Sequence, residues 1–87
     1  MKSQKVTILN KTGLHARPAS VFVQTASKFK SELMIQKGEK KVSAKSIMGV
    51  LTLGVSMGTE ITITAEGSDE EEAVKTLVEL IESKFGE

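Results

Sequence analysis

The segment from Glu60 to Glu66 constrains the fold more than any other part of the chain, because polar and apolar residues alternate along its whole length. Its apolar members are Ile61, Ile63 and Ala65. An alternation of period two predicts a β-strand with one apolar face and one face open to water. The threonines between the apolar residues indicate that the outer face of the sheet is solvated, so helices must cover the other face.

Six further segments have the periodicity of strands or helices. The predicted strands comprise residues 5–9, 32–37 and 41–44, and the predicted helices comprise residues 15–28, 47–53 and 69–84. Together with the strand at 60–66, their order is βαββαβα. This order predicts an α+β fold, an open-faced β-sandwich in which three helices cover one face of a four-stranded antiparallel sheet. Because 87 residues suffice for one small domain, we expect a single domain over residues 1–87.

Apolar residues at strand or helix spacing in these segments are the expected core. Outside 60–66 they are Val6, Ile8, Ala19, Phe22, Val23, Ala26, Phe29, Val74, Leu77, Leu80 and Ile81. A core of this size is modest, as is typical of a domain of fewer than a hundred residues.

Local signals predict where three of the elements turn or begin. Gly38 falls at the first central position of a two-residue hairpin turn, which favours type II′ because glycine accepts a positive φ. Ser46 is placed to cap the second helix, and Gly54 follows its end. Ser68 and Glu71 have the spacing of a capping box at the start of the last helix.

The second helix is too short to bury all of its apolar residues. Ile47, Met48 and Leu51 lie around much of its circumference, so some of them are expected to be exposed. Exposed apolar side chains mark a docking surface. The alternative, which the pattern alone leaves open, is an ordinary core helix that uses methionine as a filler.

His15 is the only histidine of the chain, and Arg17, two positions later, is the only arginine. Pro18 and the apolar run behind it predict a helix that begins at His15, and Gly13 supplies a flexible position just before it. Unpaired amides at a helix N-terminus attract anions, so a nucleophilic ring beside them suggests that the histidine itself is phosphorylated. From spacing alone, a surface histidine that only caps the helix is the alternative.

Composition excludes several classes of function. Without cysteine the chain has no disulfide, no thiolate nucleophile and no cysteine-ligated zinc, and one histidine cannot form a histidine-rich metal site. We therefore expect no metal and no cofactor. No segment has the length and apolarity of a secretory signal or a bilayer-spanning helix, so we expect a cytoplasmic protein without membrane insertion.

Charge is distributed unevenly, although the net charge is only +1. Ten of the twelve basic residues precede Val50 and nine of the eleven acidic residues follow it, so the N-terminal half is suited to an acidic partner. Nucleic acid is not expected as a partner. The candidate lysines are Lys28, Lys30, Lys37, Lys40, Lys41 and Lys45. The chain has no Tyr or Trp beside them, and Phe22 and Phe29 fall at core positions.

One motif match is rejected. The run from Gly54 to Gly58, centred on Ser56, has the G-x-S-x-G pattern of a hydrolase nucleophile elbow. The only histidine precedes this serine, whereas in that fold it follows, and 87 residues are too few for a hydrolase of that type. A helix end at Gly54 and a turn at Gly58 are expected instead.

Three segments together carry a family resemblance that extends over essentially the whole chain. The run Gly13-Leu14-His15-Ala16-Arg17-Pro18-Ala19 matches a phosphohistidine motif, and Lys45-Ser46-Ile47-Met48-Gly49-Val50 matches a regulatory serine segment. Ala65-Glu66-Gly67 followed by Asp69-Glu70 resembles the last strand and helix start of the same family. The chain therefore resembles HPr, the histidine-containing phosphocarrier of the bacterial sugar phosphotransferase system, in its Gram-positive form. The turn Gly38-Glu39, where the family often has Asn-Gly, is a departure that affects the turn type alone.

The resemblance implies that His15 accepts a phosphoryl group from phosphorylated Enzyme I at its ring Nδ1 and donates it to the IIA domains of sugar permeases. It implies that the Arg17 guanidinium and the amides of Ala16 and Arg17 stabilise the group, and that the chain is a carrier rather than an enzyme. The docking residues that it implies are Ala16, Arg17, Ser20, Ile47, Met48 and Leu51.

The resemblance also implies a regulatory role for Ser46, which HPr kinase/phosphorylase would phosphorylate from ATP. The phosphorylated form would serve as corepressor of the catabolite control protein CcpA. The alternative is a purely regulatory HPr-like module that acts through Ser46 alone; His15 argues against it, since that relative lacks the histidine. We expect the chain to be a monomer.

Overall fold

A computed structural model of the chain describes residues 1–86, which form four β-strands and three α-helices. In chain order these elements are β1 Lys2–Thr7, α1 Ala16–Ala26, β2 Glu32–Lys37, β3 Lys40–Ser43, α2 Ile47–Thr52, β4 Glu60–Glu66 and α3 Glu70–Glu82, followed by a short 3₁₀ turn at Lys84–Gly86. The strands lie in the order β1-β4-β2-β3, and every neighbouring pair is antiparallel. The predicted α+β open-faced sandwich is confirmed.

Strand β4 occupies the centre of the sheet, where it pairs with both β1 and β2. Its side chains alternate as the sequence predicts: Ile61, Ile63 and Ala65 are buried, whereas Thr62 and Thr64 are half-buried on the open face. The buried face joins the apolar residues of α1 and α3 in one continuous core. The helices therefore lie on one side of the sheet only, as the alternation of β4 requires.

Most of the predicted core residues are buried, and the exceptions lie at helix margins. Val23, Phe29 and Leu80 are half-buried and pack against the edge of the core. In α3 the fully covered stripe instead includes Ala73 and Val78. Helix α3 lies close against β1 and β4, so the face it buries is displaced from the one that the spacing predicts.

Several element boundaries differ from those predicted. Strand β1 begins at Lys2 rather than at residue 5, and its ladder ends at Thr7 rather than at residue 9. Ile8 nevertheless stays bound to the neighbouring loop: its N–H donates to the carbonyl of Thr59 at 2.9 Å, and its carbonyl accepts from the N–H of Gly58 at 2.8 Å. Polar residues at the edge of a sheet carry little periodic signal, so pairing rather than pattern decides where the strand starts.

The predicted capping box of Ser68 and Glu71 is wrong. Helix α3 begins one residue later, with Asp69 at the N-cap position, and the Asp69 side chain makes no cap hydrogen bond. Its carboxylate instead accepts from the loop before β2, and Glu70 supplies a local contact by accepting from the Gly67 N–H at 3.2 Å. A tertiary contact has taken the carboxylate that was available as a cap.

The hairpin turn and the ends of α2 agree with the prediction. Gly38 has a φ of +58°, whereas Glu39 keeps a negative φ, as a type II′ turn requires. Ser46 caps α2, and Gly54 follows the helix with a φ of +65°. Within residues 1–86 no helix has both the length and the apolarity needed to cross a membrane.

Candidate functional site

His15 is the N-cap residue of α1. Its backbone is extended, with φ −80° and ψ −172°, and its carbonyl accepts the first helical hydrogen bond from the N–H of Ala19 at 2.8 Å. The side chain is exposed and makes no cap hydrogen bond. The exposed imidazole therefore stands at a helix terminus, as the position of Pro18 predicts.

The first amides of α1 are free beside this ring. Within residues 1–86, the N–H groups of Ala16 and Arg17 donate to no carbonyl or side chain, and Pro18, the next residue, has no N–H. Two unpaired donors at the positive end of an 11-residue helix are suited to binding an anion. The predicted coincidence of an imidazole and unpaired amides is therefore present in the fold.

Arg17 is exposed on the first turn of α1. Its guanidinium forms no hydrogen bond and no ion pair with any of residues 1–86. A guanidinium without a structural partner can orient its fork of donors toward an anion held at the adjacent amides.

The loop before His15 is docked against a second loop by a glycine. Gly13 has a φ of +62°, and a Cβ at this position would lie 2.7 Å from the Cα of Ser56 and in closer conflict with the Val55 carbonyl. The next residue, Leu14, is buried and donates its N–H to that carbonyl at 3.0 Å. Only glycine allows this approach, which fixes where the chain enters α1.

Asn10 holds the same loop from inside and was not identified as a site residue from the sequence. It is 2% exposed, and its Nδ2 donates to the Gly13 carbonyl at 2.7 Å and to Thr12 Oγ1 at 3.2 Å. Its Oδ1 has no hydrogen-bond partner. The one available signal is an asparagine three positions before a glycine, a pairing typical of turns.

Helix α2 presents apolar side chains next to the His15 site. Ile47, Met48 and Leu51 are 38%, 68% and 37% exposed. Leu51 lines an open depression that also includes His15 and Ala16. The apolar surface and the imidazole are thus contiguous, and the alternative of a core helix with methionine as filler is wrong for Met48.

The remaining docking residue implied by the resemblance, Ser20, lies one turn further along α1. It is half-buried, and its hydroxyl accepts from Gln24 Nε2 at 3.3 Å. Ser20 therefore lies on the same helix as the phosphoacceptor, with only part of its side chain available to a partner.

Ser46 is placed at the margin of the apolar surface. Its Oγ accepts from the Gly49 N–H at 3.1 Å, so the predicted cap is formed. Gly49 approaches β3 closely, since a Cβ there would lie 3.2 Å from the Cβ of Val42. The glycine inside a short helix therefore has a packing reason, and Ser46, half-buried, immediately precedes the exposed Ile47.

Ser56, the central residue of the rejected hydrolase motif, also lines the depression that includes His15. The spacing of the motif did not indicate this proximity. Its Oγ lies 3.4 Å from Thr59 Oγ1, and within residues 1–86 no hydrogen bond joins it to His15. The flanking glycines form the predicted helix end and turn, with φ +65° at Gly54 and +88° at Gly58. The motif match thus reflects a turn.

The site as a whole is an open surface whose groups are suited to binding an anion. It offers one accessible imidazole, two free backbone donors and one unpaired guanidinium. No cluster of three carboxylate or imidazole groups suited to a metal ion occurs within residues 1–86. Such a surface can hold a phosphoryl group by electrostatics without enclosing it.

Comparison with protein families assigns residues 2–83 to the family described as the PTS HPr component phosphorylation site. Among characterised proteins, the HPr-like protein Crh of Bacillus subtilis is 50% identical over 84 residues, which are 97% of this chain and 99% of that protein. The phosphocarrier protein HPr of Neisseria meningitidis is 47% identical, covering all of this chain and 98% of its own.

Solved structures agree with these relationships. The crystal structure of HPr-C-His from Thermoanaerobacter tengcongensis is 64% identical and superposes with a TM-score of 0.98 over all of this chain and 98% of that one. A structure of the HPr dimer from the same organism covers both chains completely with a TM-score of 0.81. On these grounds the chain belongs to the HPr family, the phosphocarriers of the bacterial phosphotransferase system.

Proposed function

We propose that residues 1–87 act as a single-domain phosphocarrier that accepts a phosphoryl group from phosphorylated Enzyme I on Nδ1 of His15 and passes it to IIA domains of sugar permeases. The observation that carries this proposal is the exposed His15 at the N-cap of α1, followed by two amides that donate to no group within residues 1–86. Membership of the phosphocarrier family supplies the reaction class.

The geometry accounts for the transfer step. Nδ1 attacks phosphorus as the bond to the Enzyme I donor breaks, and the transition state is loose, with charge spread over the three equatorial oxygens. The Ala16 and Arg17 amides and the Arg17 guanidinium would receive that charge. Transfer to a IIA domain reverses the same geometry.

The openness of the site supports a carrier rather than an enzyme. A group that must leave after one transfer cannot be held too strongly, and two amides with one exposed guanidinium would provide moderate stabilisation. The partner would supply the remaining catalytic groups. The apolar surface of Ile47, Met48 and Leu51, with Ser20 beside it, would be the face on which Enzyme I and the IIA domains dock.

Ser46 is proposed as the regulatory phosphorylation site, modified by HPr kinase/phosphorylase and read by CcpA. The position supports this, because a phosphate on an N-cap residue is favoured by the helix terminus. About two negative charges would then stand next to Ile47 and Met48, where they would weaken docking of Enzyme I to that surface.

A purely regulatory module acting through Ser46 is the second candidate, favoured by the 50% identity to the HPr-like protein Crh. The accessible imidazole at the helix terminus has no part in such a function, so we rank it second. We propose the monomer as the working form, since every group of the site comes from one chain. Sedimentation of the unmodified chain at micromolar concentration tests this, and a stable dimer like the one crystallised from Thermoanaerobacter tengcongensis would contradict it.

The deciding experiment is phosphorylation of the chain by Enzyme I and phosphoenolpyruvate. We expect one acid-labile phosphate per chain and none on His15→Ala, which should fold normally because the imidazole is exposed. A Ser46→Ala variant should still be labelled. Labelling of His15→Ala would refute the site, and a wild-type chain that takes no phosphate would favour the regulatory module.

A further inference from the structure

We propose that Asn10 is a positioning residue for phosphoryl transfer, holding the loop that sets the place of His15. The inference rests on the proposed function, because it concerns the geometry of the same site. Asn10 does not touch the reacting atoms: it acts through Gly13 and Leu14, the two residues that precede His15.

The loop from Asn10 to Gly13 is closed by two hydrogen bonds. The Asn10 amide donates to the Gly13 carbonyl at 2.7 Å, while the Gly13 N–H donates back to the Asn10 carbonyl at 3.1 Å. The side chain and the backbone of Asn10 therefore form hydrogen bonds with both backbone polar groups of Gly13. The second proton of Nδ2 is used on Thr12 Oγ1, so the whole donor capacity of the amide is directed into the loop.

The Gly13–Leu14 peptide is also fixed by its contact with the loop that contains Val55 and Ser56. Gly13 lies against Ser56, and Leu14 donates to the Val55 carbonyl at 3.0 Å. The Gly13–Leu14 peptide is thus held on its carbonyl side by Asn10 and on its N–H side by Val55. Because this peptide plane is fixed at both ends and the Leu14 side chain is buried, the backbone that leads into His15 has little freedom to move.

The orientation of the Asn10 side-chain amide also supports this role. Asn10 is 2% exposed, and its Oδ1 has no hydrogen-bond partner among residues 1–86. A buried acceptor without a partner lowers stability, so the two donor contacts with the loop are what this orientation of the amide provides. Rotating the amide would direct Oδ1 at the Gly13 carbonyl and lose both donor contacts. The observed orientation therefore keeps both hydrogen bonds to the loop and leaves Oδ1 without a partner among residues 1–86.

The test compares two Asn10 variants with a control variant that also loses a hydrogen bond of the fold. Asn10→Asp keeps the shape but replaces the donor with an acceptor, and Asn10→Ala removes the amide. Both should lower kcat for transfer from phosphorylated Enzyme I by about tenfold with KM unchanged, because misplacement of the ring affects the transition state and leaves docking intact. Ser31→Ala, which loses a hydrogen bond to Asp69 elsewhere in the fold, should keep the wild-type kcat.

Amide hydrogen exchange at Leu14 and His15 provides a readout that does not depend on phosphorylation, and exchange should be faster in both Asn10 variants than in Ser31→Ala. A wild-type kcat in the Asn10 variants, or a rise in KM alone, would overturn the proposal. If neither variant folds, Thr12→Val removes only the weaker contact, and an unchanged kcat there would likewise overturn it. A wild-type chain that takes no phosphate would instead defeat the proposed function, while exchange at Leu14 would still decide whether Asn10 holds the loop.

Discussion

The carboxylate of Asp69 accepts hydrogen bonds from the backbone N–H of Ser31, at 2.9 Å, and from the Ser31 hydroxyl. Its other oxygen accepts from the N–H of Lys30 at 2.8 Å. Gly67 lies so close that a Cβ there would be 2.7 Å from the Cα of Ser31. The N-cap residue of α3 therefore joins that helix to the loop between α1 and β2, with 38 positions in the sequence between Ser31 and Asp69.

This contact predicts a pH dependence of stability. The Ser31 hydroxyl, together with the N–H of Lys30, holds the pKa of Asp69 below its ordinary value. Since the folded pKa is lowered, the contribution is complete above the ordinary aspartate pKa of about 3.9 and is lost as the pH falls through the lower folded value. Thermal unfolding of the wild-type chain should therefore shift downward below about pH 4.

Asp69→Asn checks the assignment. It should unfold at lower temperature than the wild-type chain at pH 7, and the difference between the two should narrow as the pH is lowered from 5 to 2. Glu72→Gln is the matched control, because Glu72 is an exposed carboxylate of the same helix that makes no hydrogen bond or ion pair with residues 1–86. Parallel pH curves for wild type and Asp69→Asn would contradict the prediction.

Gly13→Ala should destabilise the fold much more than Gly38→Ala. Both glycines have a φ near +60°, so alanine at either position incurs about 1–2 kcal/mol of left-handed strain. At Gly38 nothing lies within 4 Å of the added Cβ, whereas at Gly13 it would conflict with Val55 and Ser56, adding about 1–3 kcal/mol. Denaturant unfolding of the two variants measures the difference. Equal losses would show that the two loops are not in contact.

Arg17→Ala should slow phosphoryl transfer while leaving stability almost unchanged. The guanidinium is exposed and forms no hydrogen bond or ion pair with any of residues 1–86, so the free energy of unfolding should change by no more than about 0.5 kcal/mol. Loss of one donor to the developing charge should reduce kcat by on the order of 10²-fold. Stopped-flow transfer from phosphorylated Enzyme I measures it.

Two further variants separate the fork of donors from net charge. Arg17→Lys keeps the charge without the fork and should be intermediate, and Lys28→Ala, which removes an exposed cation beyond the C-terminal end of α1, should transfer at the wild-type rate. A large loss of stability in Arg17→Ala would instead assign the residue a structural role.

Ser46→Asp should fold normally but dock more weakly. Aspartate is an effective N-cap, so the free energy of unfolding should stay within about 1 kcal/mol of wild type. The new charge beside Ile47 and Met48 should raise KM for phosphorylated Enzyme I by roughly tenfold. Ser3→Asp places the same charge on β1, away from α2, and should leave KM unchanged. A wild-type KM in Ser46→Asp would remove the proposed switch.

Periodic segments and simple caps were predictable from the sequence. The alternation at Ile61, Ile63 and Ala65 marks a central strand, and the serine and glycine around α2 mark its two ends. The start of α1 at Ala16, with His15 as its N-cap residue, follows from Pro18, whose ring suits the first turn of a helix. These features depend on steric and hydrogen-bonding preferences within a few residues, which is why they can be read locally.

The candidate site was predictable only in part, for the same reason. His15, Arg17 and the free amides lie within three consecutive residues, whereas the contacts of Asn10 and Val55 with the loop depend on how two loops meet. Asp69 also could not be assigned from local sequence. Its carboxylate binds Lys30 and Ser31, which are distant in sequence, and does not cap its own helix.

By itself the sequence determined that helices cover one face of an antiparallel sheet, and that an imidazole stands at a helix start beside unpaired amides. Tertiary structure alone decided that α2 lies next to this imidazole, with Leu51 and His15 lining one depression, and that Asn10 is buried beneath the loop. The physical reason is the distance along the chain over which each interaction acts. Local patterns specify which face of an element avoids water, but the neighbours of that element depend on the packing of the whole core.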